Sequence, residues 1–157
     1  MTRILAIDPG TEQSGWCVLG TGRVMDSGVM ANDALLQRIK RATETGLAIE
    51  MIASYGMPVG REVFETCVWI GRFQEAWPDI ATAKLVYRRD VKLYLCGSSR
   101  AKDANIRQAL IDKLGPIGTK KAPGPLYGVK SHSWAAVAVA VTASADGWPV
   151  PENPLFI

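Results

Sequence analysis

Apolar positions alternate poorly at the start of the chain: Ile4, Leu5, Ala6 and Ile7 follow one another without a polar break. Such a run predicts a strand covered on both faces, over residues 3 to 8. Pro9 lacks a backbone N–H and Gly10 permits a sharp turn, so the strand stops at Asp8. Two shorter runs, residues 15 to 20 and 23 to 30, flank Thr21-Gly22 and read as the next strands of an antiparallel meander. Asn32 reads as the N-cap of a helix over 34 to 43, with Leu35, Leu36 and Ile39 as its apolar stripe. Residues 46 to 52 form a fourth strand, apolar on either side of Glu50. After a breaker-rich loop at 54 to 60, Phe64, Val68, Phe73 and Trp77 keep helical spacing and predict a helix over 61 to 77.

A fifth strand is expected at 85 to 87, followed by a basic link, Arg88-Arg89-Asp90-Val91-Lys92. Ile106, Leu110 and Leu114 place a helix over 104 to 114. Residues 115 to 130 are rich in Gly and Pro and read as a mobile, functional loop. A small, apolar helix follows over 132 to 145, its Ala/Val content suited to close packing on a sheet. The tail, 148 to 157, carries three prolines and reads as an extended arm. The order β-β-β-α-β-α-β-α-α indicates an α/β domain with a mixed sheet.

Composition narrows the class. At 157 residues and 48% apolar, the whole chain, 1–157, is expected to be one globular, soluble domain. Its longest apolar run, 134 to 141, is far too short for a bilayer. No signal-peptide pattern opens the chain, so a cytoplasmic location and no membrane partner are expected. Three widely spaced cysteines argue against a disulfide framework or a structural zinc site and for a reducing interior. The net charge of +3 is small, but Arg88, Arg89, Lys92, Arg100, Lys102, Arg107, Lys113, Lys120, Lys121 and Lys130 cluster between residues 88 and 130. That distribution suits a phosphate-contacting surface; a solvated face has the same composition.

Candidate chemistry rests on three side chains. Asp8 ends the first strand and Glu50 lies in the fourth. If those strands pair in parallel, both carboxylates reach one sheet edge, where a divalent cation relieves their repulsion. Mg²⁺ favours such oxygen sites and acts on phosphate esters, often as a pair of ions. Turn chemistry for Asp8, and an ion pair for Glu50, are the ordinary alternatives. His132, the only histidine, opens the last helix and can ligate a metal, orient water or accept a proton; an exposed structural histidine is the plain alternative.

These segments carry a resemblance. The stretch from Ile4-Leu5-Ala6-Ile7-Asp8-Pro9-Gly10-Thr11 to Gly15-Trp16 resembles the opening of RuvC-type Holliday junction resolvases, within the RNase H-like, retroviral-integrase superfamily. Ala48-Ile49-Glu50 is similar to the family's second acidic strand, and the helix through Gly71-Arg72-Phe73 to its next helix. Val86-Tyr87-Arg88-Arg89-Asp90-Val91-Lys92 with Gly97 and Lys102 resembles the stretch before its third helix. Lys130-Ser131-His132-Ser133-Trp134-Ala135-Ala136 resembles the start of its catalytic C-terminal helix. The matches keep the family's order over nearly the whole chain, in the compact style of phage-borne members.

The resemblance implies a three-layer RNase H-like fold with a mixed five-stranded sheet. It implies Mg²⁺-dependent hydrolysis of DNA at four-way junctions, with two ions per site, Mn²⁺ as a substitute, and no small-molecule cofactor. Asp8, Glu50 and His132 would be catalytic and metal-binding. Arg88, Arg89, Lys92, Arg100, Lys102, Lys120, Lys121 and Lys130 would contact DNA phosphates, which position DNA without reading sequence. Tyr55 and Phe64 are candidates to stack on bases, Phe64 being the better fit to a core position. A two-fold junction matches a homodimer, with the 61 to 77 helix as candidate interface. One departure stands out: the family presents two acids, or a His and an Asp, three residues apart on its last helix; His132 matches the first position, but position 135 is Ala, which cannot ligate a metal. His132 with another acid such as Asp103 or Glu62, an inactivated variant with Ala for Asp at 135, and a binder that does not cut all stay open. A general RNase H-like nuclease would share Asp8 and Glu50. An actin-like or sugar-kinase ATPase would need a second domain and phosphate loop that the chain does not have room for.

Overall fold

The strand expected at the start is β1, Ile4–Asp8, and it lies at the centre of a five-stranded sheet. The computed structural model describes residues 2–149. β1 pairs antiparallel with β2 (Gln13–Leu19), which pairs antiparallel with β3 (Val24–Ala31). On its other side β1 pairs in parallel with β4 (Gly46–Met51), and β4 in parallel with β5 (Ala83–Tyr87). The strand order is β3-β2-β1-β4-β5, the mixed sheet that the sequence implies.

Helices cover both faces. Leu5 and Ile7 of β1 with Leu47 and Ile49 of β4 pack on α1 (Asn32–Lys40) and α2 (Arg61–Ala76). Ile4, Ala6 and Ala48 turn the other way, toward α3 (Arg88–Cys96), α4 (Asp103–Leu114) and α5 (Ser133–Ala143). Alternation along a strand therefore sends Asp8 and Glu50, two residues beyond Ala6 and Ala48, to the α5 face. Leu5, Ile7, Leu47 and Ile49 are wholly buried, each worth roughly 1.5–3 kcal/mol, which anchors the register that delivers both acids. The small residues of α5, Ala136 to Val141 almost all wholly buried, let that helix lie close on the sheet.

Four local expectations are corrected. Residues 88–96 are not a link but a helix, α3: Val91 is buried and Leu95, four residues on, packs on the same core, while Gly97 at φ 68° closes the helix. Asn32 is the first residue of α1, and its side chain does not cap it. It is buried instead, donating to the Gly10 carbonyl at 2.9 Å and accepting from the Ser14 hydroxyl. The 115 to 130 loop is tied down: Gly124 N–H donates to Ile117 O, Val24 N–H to Pro125 O, and Leu126 is wholly buried. Finally, Phe73 and Trp77 enter the core, but Phe64 and Val68 are both 62% exposed, so Phe64 is no core residue. The arm expected at 148 to 157 lies almost wholly outside the described residues.

Candidate active site

Asp8 and Glu50 emerge side by side, one residue past the paired Ile7 and Ile49. Both line a cleft of about 980 Å³ whose other walls include Arg88, Asp103, Arg107, Lys130, His132, Trp134 and Ala135. The turn behind Asp8 is clamped: Gly10 N–H donates to Ser14 Oγ at 3.1 Å, Ser14 Oγ donates to Asn32 Oδ1 at 2.6 Å, and Asn32 returns to Gly10 O. Three bonds among buried or half-buried groups thus hold the Pro9-Gly10 turn, and with it the strand end.

His132 precedes α5 and its Nδ1 lies 3.2 Å from Asp8 Oδ2. A carboxylate accepts, so Nδ1–H is the donor in this contact and Nε2 is turned away from Asp8. The approach depends on Gly15, which pairs with Asp8 across β1 and β2. A Cβ there would stand 2.5 Å from the His132 carbonyl carbon and oxygen. Gly15 is thus a site residue that sequence reasoning missed; a glycine inside a strand was the available signal.

Glu50 is almost wholly buried, and its nearest cation is Arg88, with Nη1 3.6 Å from Oε1. Burial, reinforced by the charge on Asp8 and only partly offset by Arg88, pushes the Glu50 carboxyl up to about 7. Burial likewise raises Asp8, against the opposing pull of His132. Arg88 also donates from Nη2 to Asp103 Oδ1 at 2.6 Å, an acid at the first turn of α4. Ala135 lies on the same cleft wall and contributes no donor atom. Among the described residues, no group of three or more His, Cys, Asp or Glu side chains stands together in a geometry that could hold a metal ion.

The basic residues divide. Arg88 and Lys130 line the cleft. Arg88, Arg89 and Lys92 line a second depression with Tyr55, which is 58% exposed and held at φ 48°. Arg100 and Lys102 are exposed between α3 and α4, and Lys120 and Lys121 at the tip of the turn closed by Thr119 and Ala122. Arg107, from the same basic group, stacks 4.4 Å over Trp134 at the cleft wall. Glu62 lies in the exposed first turn of α2 and does not reach the cleft.

RuvC of Thermus thermophilus, solved in complex with a Holliday junction substrate, matches this structure with a TM-score of 0.66 over 92% of this chain and 93% of that one, at 20% identity. A second T. thermophilus RuvC structure matches with TM-score 0.66 and 21% identity over 91% and 93%. The chain has the RuvC fold. No family model and no curated protein sequence matches it.

Proposed function

We propose that this chain is a metal-dependent endonuclease, acting as a single cytoplasmic domain per subunit, that resolves four-way DNA junctions. One observation carries the reading. Two carboxylates end adjacent parallel strands on one face, with an imidazole on the first of them, in a fold whose solved counterpart holds a Holliday junction.

The donor set suits a hard divalent cation such as Mg²⁺, or Mn²⁺ in its place: carboxylate oxygens from Asp8 and Glu50, with an imidazole nitrogen of His132 beside them. By donor type these residues suit one ion, with two carboxylates adjacent on the parallel strands; the second ion that the resemblance implies lacks a carboxylate at Ala135. When bound, the metal supplies Lewis acidity toward a phosphoryl oxygen and an activated water. The chain supplies the rest. Asp8 orients His132 through Nδ1, so Nε2 is the one nitrogen that would either join the ligand set or take a proton from the attacking water, not both. Lys130 at the cleft, Arg89 and Lys92 in the neighbouring depression, and the exposed Arg100, Lys102, Lys120 and Lys121 hold phosphates, and Tyr55 offers a ring for an unstacked base. A two-fold junction calls for two such sites, and the exposed Phe64 and Val68 on α2 are the surface for a homodimer.

Cleavage of a synthetic four-way junction with Mg²⁺, beside a duplex and a single strand, tests this. Paired symmetric nicks on the junction alone are expected, from a protein that sediments as a dimer. Equal cutting of all three substrates would instead make it a general nuclease. Ala135 favours a second reading, junction binding without cutting. Tight binding with no cleavage, and cleavage gained by Ala135→Asp, would establish that reading.

A further inference from the structure

Arg88 is shared unequally. Its guanidinium is 2.6 Å from Asp103 but 3.6 Å from Glu50, although Glu50 is the buried acid and Asp103 the exposed one. Burial alone would favour the opposite order, since a charge shielded from water gains more from a close partner. The contact across α3 and α4 therefore draws the cation outward, away from Glu50.

Charge around the cleft gives that placement a consequence. Asp8, Glu50 and Asp103 bring three carboxylates, Arg88 one fixed positive charge, and His132 is tied to Asp8. Arg107 is stacked on Trp134, and Lys130 is exposed at the rim. With Arg88 neutralised by Asp103, Asp8 and Glu50 are left as a pair whose combined charge matches a divalent cation. Without Asp103, Arg88 has Glu50 as its remaining acidic partner and competes with any cation for it.

We propose that Asp103 is a positioning residue that holds Arg88 off Glu50 and so keeps Glu50 free to ligate a divalent ion. This rests on the metal-dependent reading above. Asp103 acts through Arg88, not as a ligand, which separates the proposal from the idea that Asp103 replaces the acid lacking at position 135. The helix end gives Asp103 a structural role too, as a favourable charge at the start of α4, and the test has to see past it.

Mn²⁺ titrated into the full chain without DNA, with free Mn²⁺ read by electron paramagnetic resonance, provides the measurement. Asp103→Asn is expected to weaken Mn²⁺ about 10- to 100-fold, the range for losing a residue that orients a ligand. Asp103→Glu is expected to keep the affinity, and Glu62→Gln, outside the cleft, to leave it unchanged. The deciding variant is Asp103→Asn with Arg88→Gln, which is expected to regain most of the lost affinity. Unchanged Mn²⁺ binding in Asp103→Asn would overturn the proposal and leave Asp103 with its helix-end role. A loss that the double variant does not recover would also overturn it, by making Asp103 a ligand. If the unaltered chain binds no Mn²⁺, the metal reading falls and takes this proposal with it.

Discussion

The two walls of the cleft are held by different forces. One wall, built by the ends of β1 and β4 and the start of α5, is fixed by backbone. Asp8 ends the central strand, its turn is clamped through Ser14 and Asn32, and Gly15 lets His132 sit against it. The other wall, from the first turns of α3 and α4, is held by an ion pair between Arg88 and Asp103, whose side chains are 43% and 85% exposed. Exposed pairs contribute little to folding stability, about 0–1 kcal/mol, so this wall is placed by side-chain charge and not by backbone pairing. Asp8 and Glu50 are thus placed by paired strands, and Arg88 and Asp103 by an ion pair between surface side chains.

The sharpest way to separate the walls is Asp8→Asn, which keeps shape and removes charge from the fixed wall. Junction cleavage is expected to fall by about 10³-fold or more, since a metal ligand supplies several kcal/mol of transition-state stabilisation. Junction binding, which the proposal assigns to the basic residues, is expected to persist in a gel-shift assay. Cleavage near the original rate would remove Asp8 from the chemistry and leave the rigid wall without a catalytic purpose.

Gly15→Ala tests the rigidity itself. The added methyl meets the backbone of His132, so strand and helix must part. Overpacking of this kind is expected to cost about 2 kcal/mol, or roughly 4–8 °C in Tm, and the displaced imidazole about 10²-fold in cleavage. Gly71→Ala is the matched control. It lies within α2 with nothing within 4 Å of the added Cβ, and is expected to be neutral or slightly stabilising. Equal melting temperatures for the two variants would show that the α5 approach is looser than the structure has it.

The fixed wall was also the more legible one. An unbroken apolar run stopped by Pro9-Gly10 announces a buried strand end, and a lone acid in each of two such strands announces a pair if they lie side by side; the β1–β4 register puts them there. Local pattern carried less elsewhere. Val91 and Leu95 have helical spacing, but Arg88, Arg89, Asp90 and Lys92 crowd the same turns and hide α3 in what reads as a basic link. An Asn just before an apolar-periodic run looks like a cap, and nothing local distinguishes it from Asn32 clamping a turn 22 residues away. Phe64 and Val68 share a helix with Phe73 and Trp77, and which of them finds a partner depends on where the sheet lies. The Arg88–Asp103 pair joins two helices across 15 residues and exists only once both pack.

The mildest test concerns the acid between the two walls. Unfolded, Glu50 titrates near the usual glutamate value of about 4.3. Folded, burial and the neighbouring Asp8 hold it at about 7. Between those values the folded chain binds the extra proton, so stability without metal is expected to fall as pH rises through that window; the raised Asp8 acts in the same direction. The loss is on the order of 2 kcal/mol across the window, spread over a few degrees of Tm. Glu50→Gln cannot titrate there, and its melting temperature is expected to vary less from pH 5 to 7.5. Adding Mn²⁺ at the upper end is expected to restore stability to the unaltered chain and much less to the variant, because the ion binds the ionised folded form. Parallel melting curves for the two proteins, with and without Mn²⁺, would mean that Glu50 shares its charge with Arg88 at every pH, and the ion-paired wall would then reach further into the site than its exposed side chains suggest.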